Sequence, residues 1–148
     1  MKWPARPFFL PTLLAVAGML SACGQSASKY DALDLLEGEA IYKAECARCH
    51  GAKLEGEPVW RQPKPDGKLP APPHDASGNT WRRSREELTA IVKLGMVAPH
   101  APAGYASDMP AFGSKLTAEQ IRRVLTYIES TWPPEIHAQR AALLKPRP

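Results

Sequence analysis

Five consecutive residues, Cys46-Ala47-Arg48-Cys49-His50, constrain this 148-residue chain more than any other feature. Two thiols three positions apart, followed at once by an imidazole, suit a single haem. The sulfurs form thioethers with the two vinyl groups, and the adjacent His50 turns a ring nitrogen onto the iron as proximal ligand. Other uses of C-x-x-C need other surroundings. A redox dithiol belongs at the strand-to-helix junction of a βαβ unit, and a structural zinc site requires a second Cys/His pair at similar spacing. The chain offers neither context. Covalent haem also relaxes what the remaining residues must do, because the macrocycle contributes apolar volume that side chains need not supply.

The N-terminus indicates where such a haem would work. Lys2 and Arg6 precede an apolar run from Phe8 to Leu20, interrupted by Pro11 and too short to span a bilayer, which is the pattern of an export signal over residues 1–22. It closes on Leu20-Ser21-Ala22-Cys23, similar to the bacterial lipobox, in which cleavage precedes an acylated cysteine. Lipidation at Cys23 also accounts for the third cysteine, otherwise an unpaired thiol in an oxidising compartment. The alternative is cleavage after Gly24, which releases a soluble periplasmic protein. Residues 23–33 are rich in Ser, Gly and Ala and read as a flexible tether of at most about 35 Å.

Removing residues 1–22 takes Lys2 and Arg6 from the 19 basic residues and nothing from the 15 acidic ones, so the net charge falls from +4 to +2. Two ionised haem propionates bring it to about zero. With no basic stripe interleaved with aromatics, nucleic-acid binding is excluded. The densest cationic cluster, Arg82, Arg83 and Arg85, reads as a solvated helix start. Roughly 126 mature residues make one small domain, expected over 34–134 with a tail over 135–148.

Helical periodicity marks three segments. Asp34 is expected to cap a helix running to about Glu45, with Leu35, Gly38, Ile41 and Tyr42 on one face. Ser84-Arg85-Glu86-Glu87 forms a capping-box pattern ahead of Leu88, Ile91 and Val92, with Gly95 as the stop. Thr117-Ala118-Glu119-Gln120 forms another ahead of Ile121, Val124, Leu125 and Ile128, and Trp132-Pro133-Pro134 ends that helix. A short appended helix over Ile136–Leu144 falls in the tail. No strand pair is evident.

From Gly51 to Arg83 periodicity is lost, and six prolines crowd between Pro58 and Pro73. A loop wrapped around a porphyrin explains this, with Leu54, Val59, Trp60, Leu69 or Trp81 buried against the cofactor. A buried Trp81 needs an acceptor for its indole N–H, and a haem propionate is one. For the sixth iron position the candidates are His74, His100, His137, Met96 and Met109. Met109 is preferred, because Asp108-Met109-Pro110-Ala111-Phe112-Gly113 is a loop directly before the last helix, where Pro110 and Gly113 fix an extended approach to a metal. A thioether there is soft and neutral and favours ferrous iron over a second imidazole. His74, beside Asp75 in the proline-rich loop, reads as a polar loop residue.

With the attachment motif near its front and Met109-Pro110-Ala111-Phe112-Gly113 ahead of a C-terminal helix, the chain resembles a class I c-type cytochrome over residues 34 to 134. That resemblance implies an all-α fold in which the N- and C-terminal helices cross, Gly38 and Tyr42 against Val124 and Tyr127, with a long proline-rich loop around one covalent haem c. It implies thioethers at Cys46 and Cys49 and axial ligands His50 and Met109. It also implies a proline carbonyl, from Pro72 or Pro73, receiving the other ring nitrogen of His50. The expected function is single-electron transfer between protein redox partners by a monomer held at the periplasmic side of a bacterial membrane through Cys23. Two alternatives stay open: a haem enzyme or sensor with a labile distal site, and a dedicated cytochrome subunit of an oxidase or dehydrogenase.

Overall fold

The computed structural model describes Met1 and residues 29–146. The expected signal segment, its cleavage site and Cys23 lie outside the described residues. Among the described residues five α-helices follow in order: α1 (Ala32–Ile41), α2 (Ala47–His50), α3 (Arg85–Leu94), α4 (Ala118–Ser130) and α5 (Pro134–Leu143). A π-helical turn, Tyr42–Cys46, joins α1 to α2, and a 3₁₀ turn covers Thr80–Arg82. Among the described residues there is no strand, and no helix is long and apolar enough to cross a membrane.

The crossing of α1 over α4 organises the molecule, and it depends on the missing side chain of Gly38. A methyl there would fall against the Arg123 carbonyl oxygen and 2.8 Å from Tyr127 Cβ. Only glycine allows the two backbones this close. Next along α1, the Tyr42 ring meets the Tyr127 ring at 5.6 Å between centroids. The partners named from the sequence are therefore those that touch. Charges frame the same crossing: Arg122 grips Asp34 with two nitrogens, each at 2.6 Å, and Arg123 pairs with Asp34 and Glu37.

That role corrects the expected cap. Asp31, not Asp34, begins α1, its carboxylate accepting from the N–H groups of Leu33 and Asp34. The Arg122 guanidinium holds the Asp34 carboxyl below its ordinary range. The two other caps form at the expected positions. Thr117 and Gln120 complete a reciprocal box. Ser84 accepts from the Glu87 N–H, while the Glu87 carboxylate turns away to Arg83.

Helix α4 buries two stripes. Val124 and Ile128 join Tyr42, Leu54, Trp81, Trp132 and Ile136, whereas Ile121 and Leu125 join Leu88, Phe112 and Leu116. Ile121 and Val124 are each 1% exposed, and burying such a side chain stabilises the fold by about 2 kcal/mol. The residues after Trp132 do not trail away. In α5, Ile136 enters the first of these clusters, and Arg140 donates to the carbonyls of Trp81 and Arg83, tying the 3₁₀ turn to the C-terminus.

Candidate functional site

The attachment motif sits where α1 gives way to α2. A π turn over Tyr42–Cys46 shifts the register by one residue between the crossing and the motif. Cys46 packs against the core and its thiol is pushed up to about 11, chiefly by burial and then by Glu45 and Cys49. It is therefore a neutral thiol at physiological pH. Tyr42, fully buried, donates its hydroxyl to the carbonyls of Gly51 (2.8 Å) and His50 (3.2 Å), so the same side chain that closes the helix crossing fixes the end of the motif.

His50 is 8% exposed, and its Nδ1 lies 2.8 Å from the Pro72 carbonyl oxygen. A carbonyl only accepts, so Nδ1 carries the proton and Nε2 holds the lone pair. Burial pushes His50 below the ordinary histidine range, against a smaller upward effect of the Pro72 bond. The imidazole is thus neutral and in the tautomer that coordinates metal through Nε2. Of the two prolines considered, Pro72 supplies the acceptor. Pro73 closes the loop instead: a methyl on Gly78 would strike its carbonyl, and one on Gly56 would come within 2.8 Å of its ring.

The loop reaches this position through a backbone outlier. Leu54 is buried with φ 65°, a left-handed conformation uncommon for a branched residue. In that conformation its carbonyl accepts from His74 N–H at 2.8 Å and Asp75 N–H at 3.3 Å. His74 is the residue that sequence reasoning missed. It is no solvated loop side chain: its ring stacks on the His50 ring at 3.9 Å, with Nδ1 2.7 Å from Thr80 Oγ1. Desolvation pushes His74 well below the usual range, so neither ring of the stack is charged. Two imidazoles lying flat together cannot face each other across one metal, which removes His74 from the candidates for the position opposite His50. The available signal was its position two residues beyond the Pro72 acceptor.

Leu54 and Trp81 are buried as expected. Val59 is 69% exposed, in the turn at Val59–Gln62. The Trp81 indole Nε1 is buried with no hydrogen-bond partner among the described residues. A buried indole N–H ordinarily finds an acceptor, so this orphan donor fits a bound group that brings its own.

Met109 is half-buried in an irregular segment, its N–H donating to Ser107 Oγ at 3.1 Å. The segment abuts the end of α3, where the Met109 carbonyl would lie 3.3 Å from a methyl on Gly95. Phe112 and Gly113 N–H bond the carbonyls of Val92 and Lys93.

An all-helical body built on a Gly–aromatic helix crossing, with C-x-x-C-H at its hinge and a proline carbonyl behind the histidine, defines a class I c-type cytochrome. The comparisons agree, and the chain belongs to this family: residues 34–128 match the family model described as cytochrome c oxidase, cbb3-type, subunit III. A cytochrome c6 from Rippkaea orientalis (strain PCC 8801 / RF-1) is 30% identical over 103 residues, covering 67% of this chain and 76% of that protein. The cbb3-type cytochrome c oxidase subunit FixP of Sinorhizobium medicae (strain WSM419) is 28% identical over 95 residues, covering 63% of this chain and 28% of FixP. No solved structure matches the chain significantly. The cofactor is covalently bound haem c, and the protein is an electron carrier rather than an enzyme.

Proposed function

We propose that this protein is a lipid-anchored, periplasm-facing monohaem cytochrome that relays single electrons between protein partners through an iron held by His50 and Met109. The observation that carries the ligation is the His50 Nδ1 to Pro72 carbonyl bond at 2.8 Å, which leaves Nε2 as the metal-binding nitrogen. Haem c supplies a one-electron ferric/ferrous couple. Cys46 and Cys49 would hold it through thioethers, and the Trp81 N–H would be free to donate to an acceptor on it. Leu54 lines the wall and keeps water out. Met109 would offer the iron a neutral sulfur, a ligand that favours the ferrous state. Neither His50 nor Met109 would change charge or leave on exchange of an electron, so the protein would need to rearrange little.

Residues 1–22 serve as the export signal, Cys23 takes the lipid, and the segment before α1 spaces the domain from the membrane. Residues 34–134 form the haem domain, and α5 in the following segment braces it. A second reading is a dedicated subunit of a membrane oxidase, favoured by the cbb3-type family model over residues 34–128; co-purification with an oxidase from solubilised membranes would select it.

The decisive test of ligation is the absorption spectrum of the matured ferric protein. A weak far-red band from sulfur on ferric haem is expected, and its absence removes Met109 as ligand. Palmitate labelling of the wild type but not of Cys23→Ser tests the anchor.

A further inference from the structure

His74 is enclosed far more closely than a space-filling residue needs. Its N–H donates to Leu54 O at 2.8 Å, its carbonyl accepts from Trp132 Nε1 at 2.8 Å, and its Nδ1 is paired with Thr80 Oγ1 at 2.7 Å. Thr80 is itself 4% exposed. The Tyr42 ring stands edge-on to the imidazole at 6.2 Å and 73°. What all this holds in place is a flat face, parallel within 23° to His50 at 3.9 Å. An apolar side chain would fill the same volume without a buried hydrogen-bond requirement, which is costly to leave unmet.

The neighbour of that face explains the arrangement. The bond to Pro72 restrains one nitrogen of His50, but a single hydrogen bond leaves the ring able to swing about the Nδ1···O line. A second ring lying flat at van der Waals distance removes that freedom. We propose that His74 is a positioning residue whose imidazole, locked by Thr80, sets the plane in which the His50 ring meets the haem iron. It acts through His50 and touches the iron only by way of that ring, so the inference rests on His50 being the proximal ligand. Outer partners that orient a metal-bound histidine tune the metal, and here one partner fixes the nitrogen and another the plane.

The test uses the full-length holoprotein and the hyperfine-shifted haem-methyl proton resonances of its ferric form, whose order and spread follow the orientation of the iron's protein ligands, the plane of the His50 ring among them. His74→Leu should change the order and spread of these resonances while the haem stays covalently attached. Thr80→Val, which keeps the stacked ring but releases its tether, should move the same resonances in the same sense by less. The double variant should move them no further than His74→Leu alone. His74→Phe, restoring a flat face, should return the pattern toward that of the wild type. An unchanged pattern in His74→Leu overturns the proposal, as does a Thr80→Val effect that adds in full to that of His74→Leu. If His74→Leu does not fold, Thr80→Val against His74→Phe decides in the same way. Failure of the underlying reading looks different: a wild-type ferric spectrum without histidine ligation would remove His50 as ligand before any variant is compared.

Discussion

The two segments proposed to supply the iron's surroundings are held in opposite ways. The stretch from Gly51 to Arg83 is fixed where its two arms, Leu54–Gly56 and Pro72–Gly78, come together. His50 bonds Pro72, Leu54 bonds His74, Trp132 reaches across to the His74 carbonyl, and Gly56 and Gly78 close on Pro73 with no room for a methyl. The stretch from Gly95 to Leu116 is fixed mainly at its ends, by Gly95 against the Met109 carbonyl and by Phe112 and Gly113 on the last carbonyls of α3. Between them the polar ties are short-range backbone turns, such as Ala101 N–H to the Val97 carbonyl and Tyr105 N–H to the Pro102 carbonyl, with Ser107 to the Met109 N–H and an ion pair between Lys68 and Asp108. Proline content alone would have ranked the first stretch as the looser one. Prolines remove N–H donors, but they also leave carbonyls that a histidine, a threonine and a tight glycine turn can use.

The contrast predicts that changes on the histidine side cost stability whereas changes on the methionine side alter ligation. The largest effect is expected for Met109→Ala, which should abolish the far-red band and let ferrous iron bind carbon monoxide while the thioethers and helical content persist; wild-type ligation in that variant would break the comparison. Next is Gly78→Ala, whose methyl would collide with the Pro73 carbonyl. It should cost about 3 kcal/mol in denaturant unfolding, since overpacked sites commonly lose that much. Trp132→Phe keeps an aromatic ring but removes the donor to His74 and part of a buried indole, and should cost about 2 kcal/mol by the same measurement. The smallest effect belongs to Lys68→Gln, which breaks an exposed ion pair and should leave the unfolding midpoint unchanged. A midpoint lowered as far as in Trp132→Phe would mean that the methionine-side segment is pinned along its length after all.

Several of these features were legible before any coordinates. The C-x-x-C-H run, the Thr117 capping box and the small residue at Gly38 are local patterns, each needing only neighbours within a turn or two of helix. Asp31 displaced Asp34 as the cap because Asp34 has better partners on α4, 88 residues away, and no local rule contains them. Glu87 left its half of the expected box for a local competitor, Arg83, one turn before it. Val59 lies in a turn at φ 48°, a conformation that its β-branched type does not announce.

By itself the sequence determined that this chain carries a covalent haem and that its body is helical, because thioether spacing, capping and helical periodicity are properties of short stretches of chain; which two helices cross was implied by the resemblance to class I c-type cytochromes. The tertiary structure alone decided which of two prolines faces His50, that His74 lies flat against it, and that α5 holds the Trp81 turn. Those contacts join residues as far as 59 positions apart across segments without periodicity, and they exist only once the α1–α4 crossing has closed the long loop upon itself.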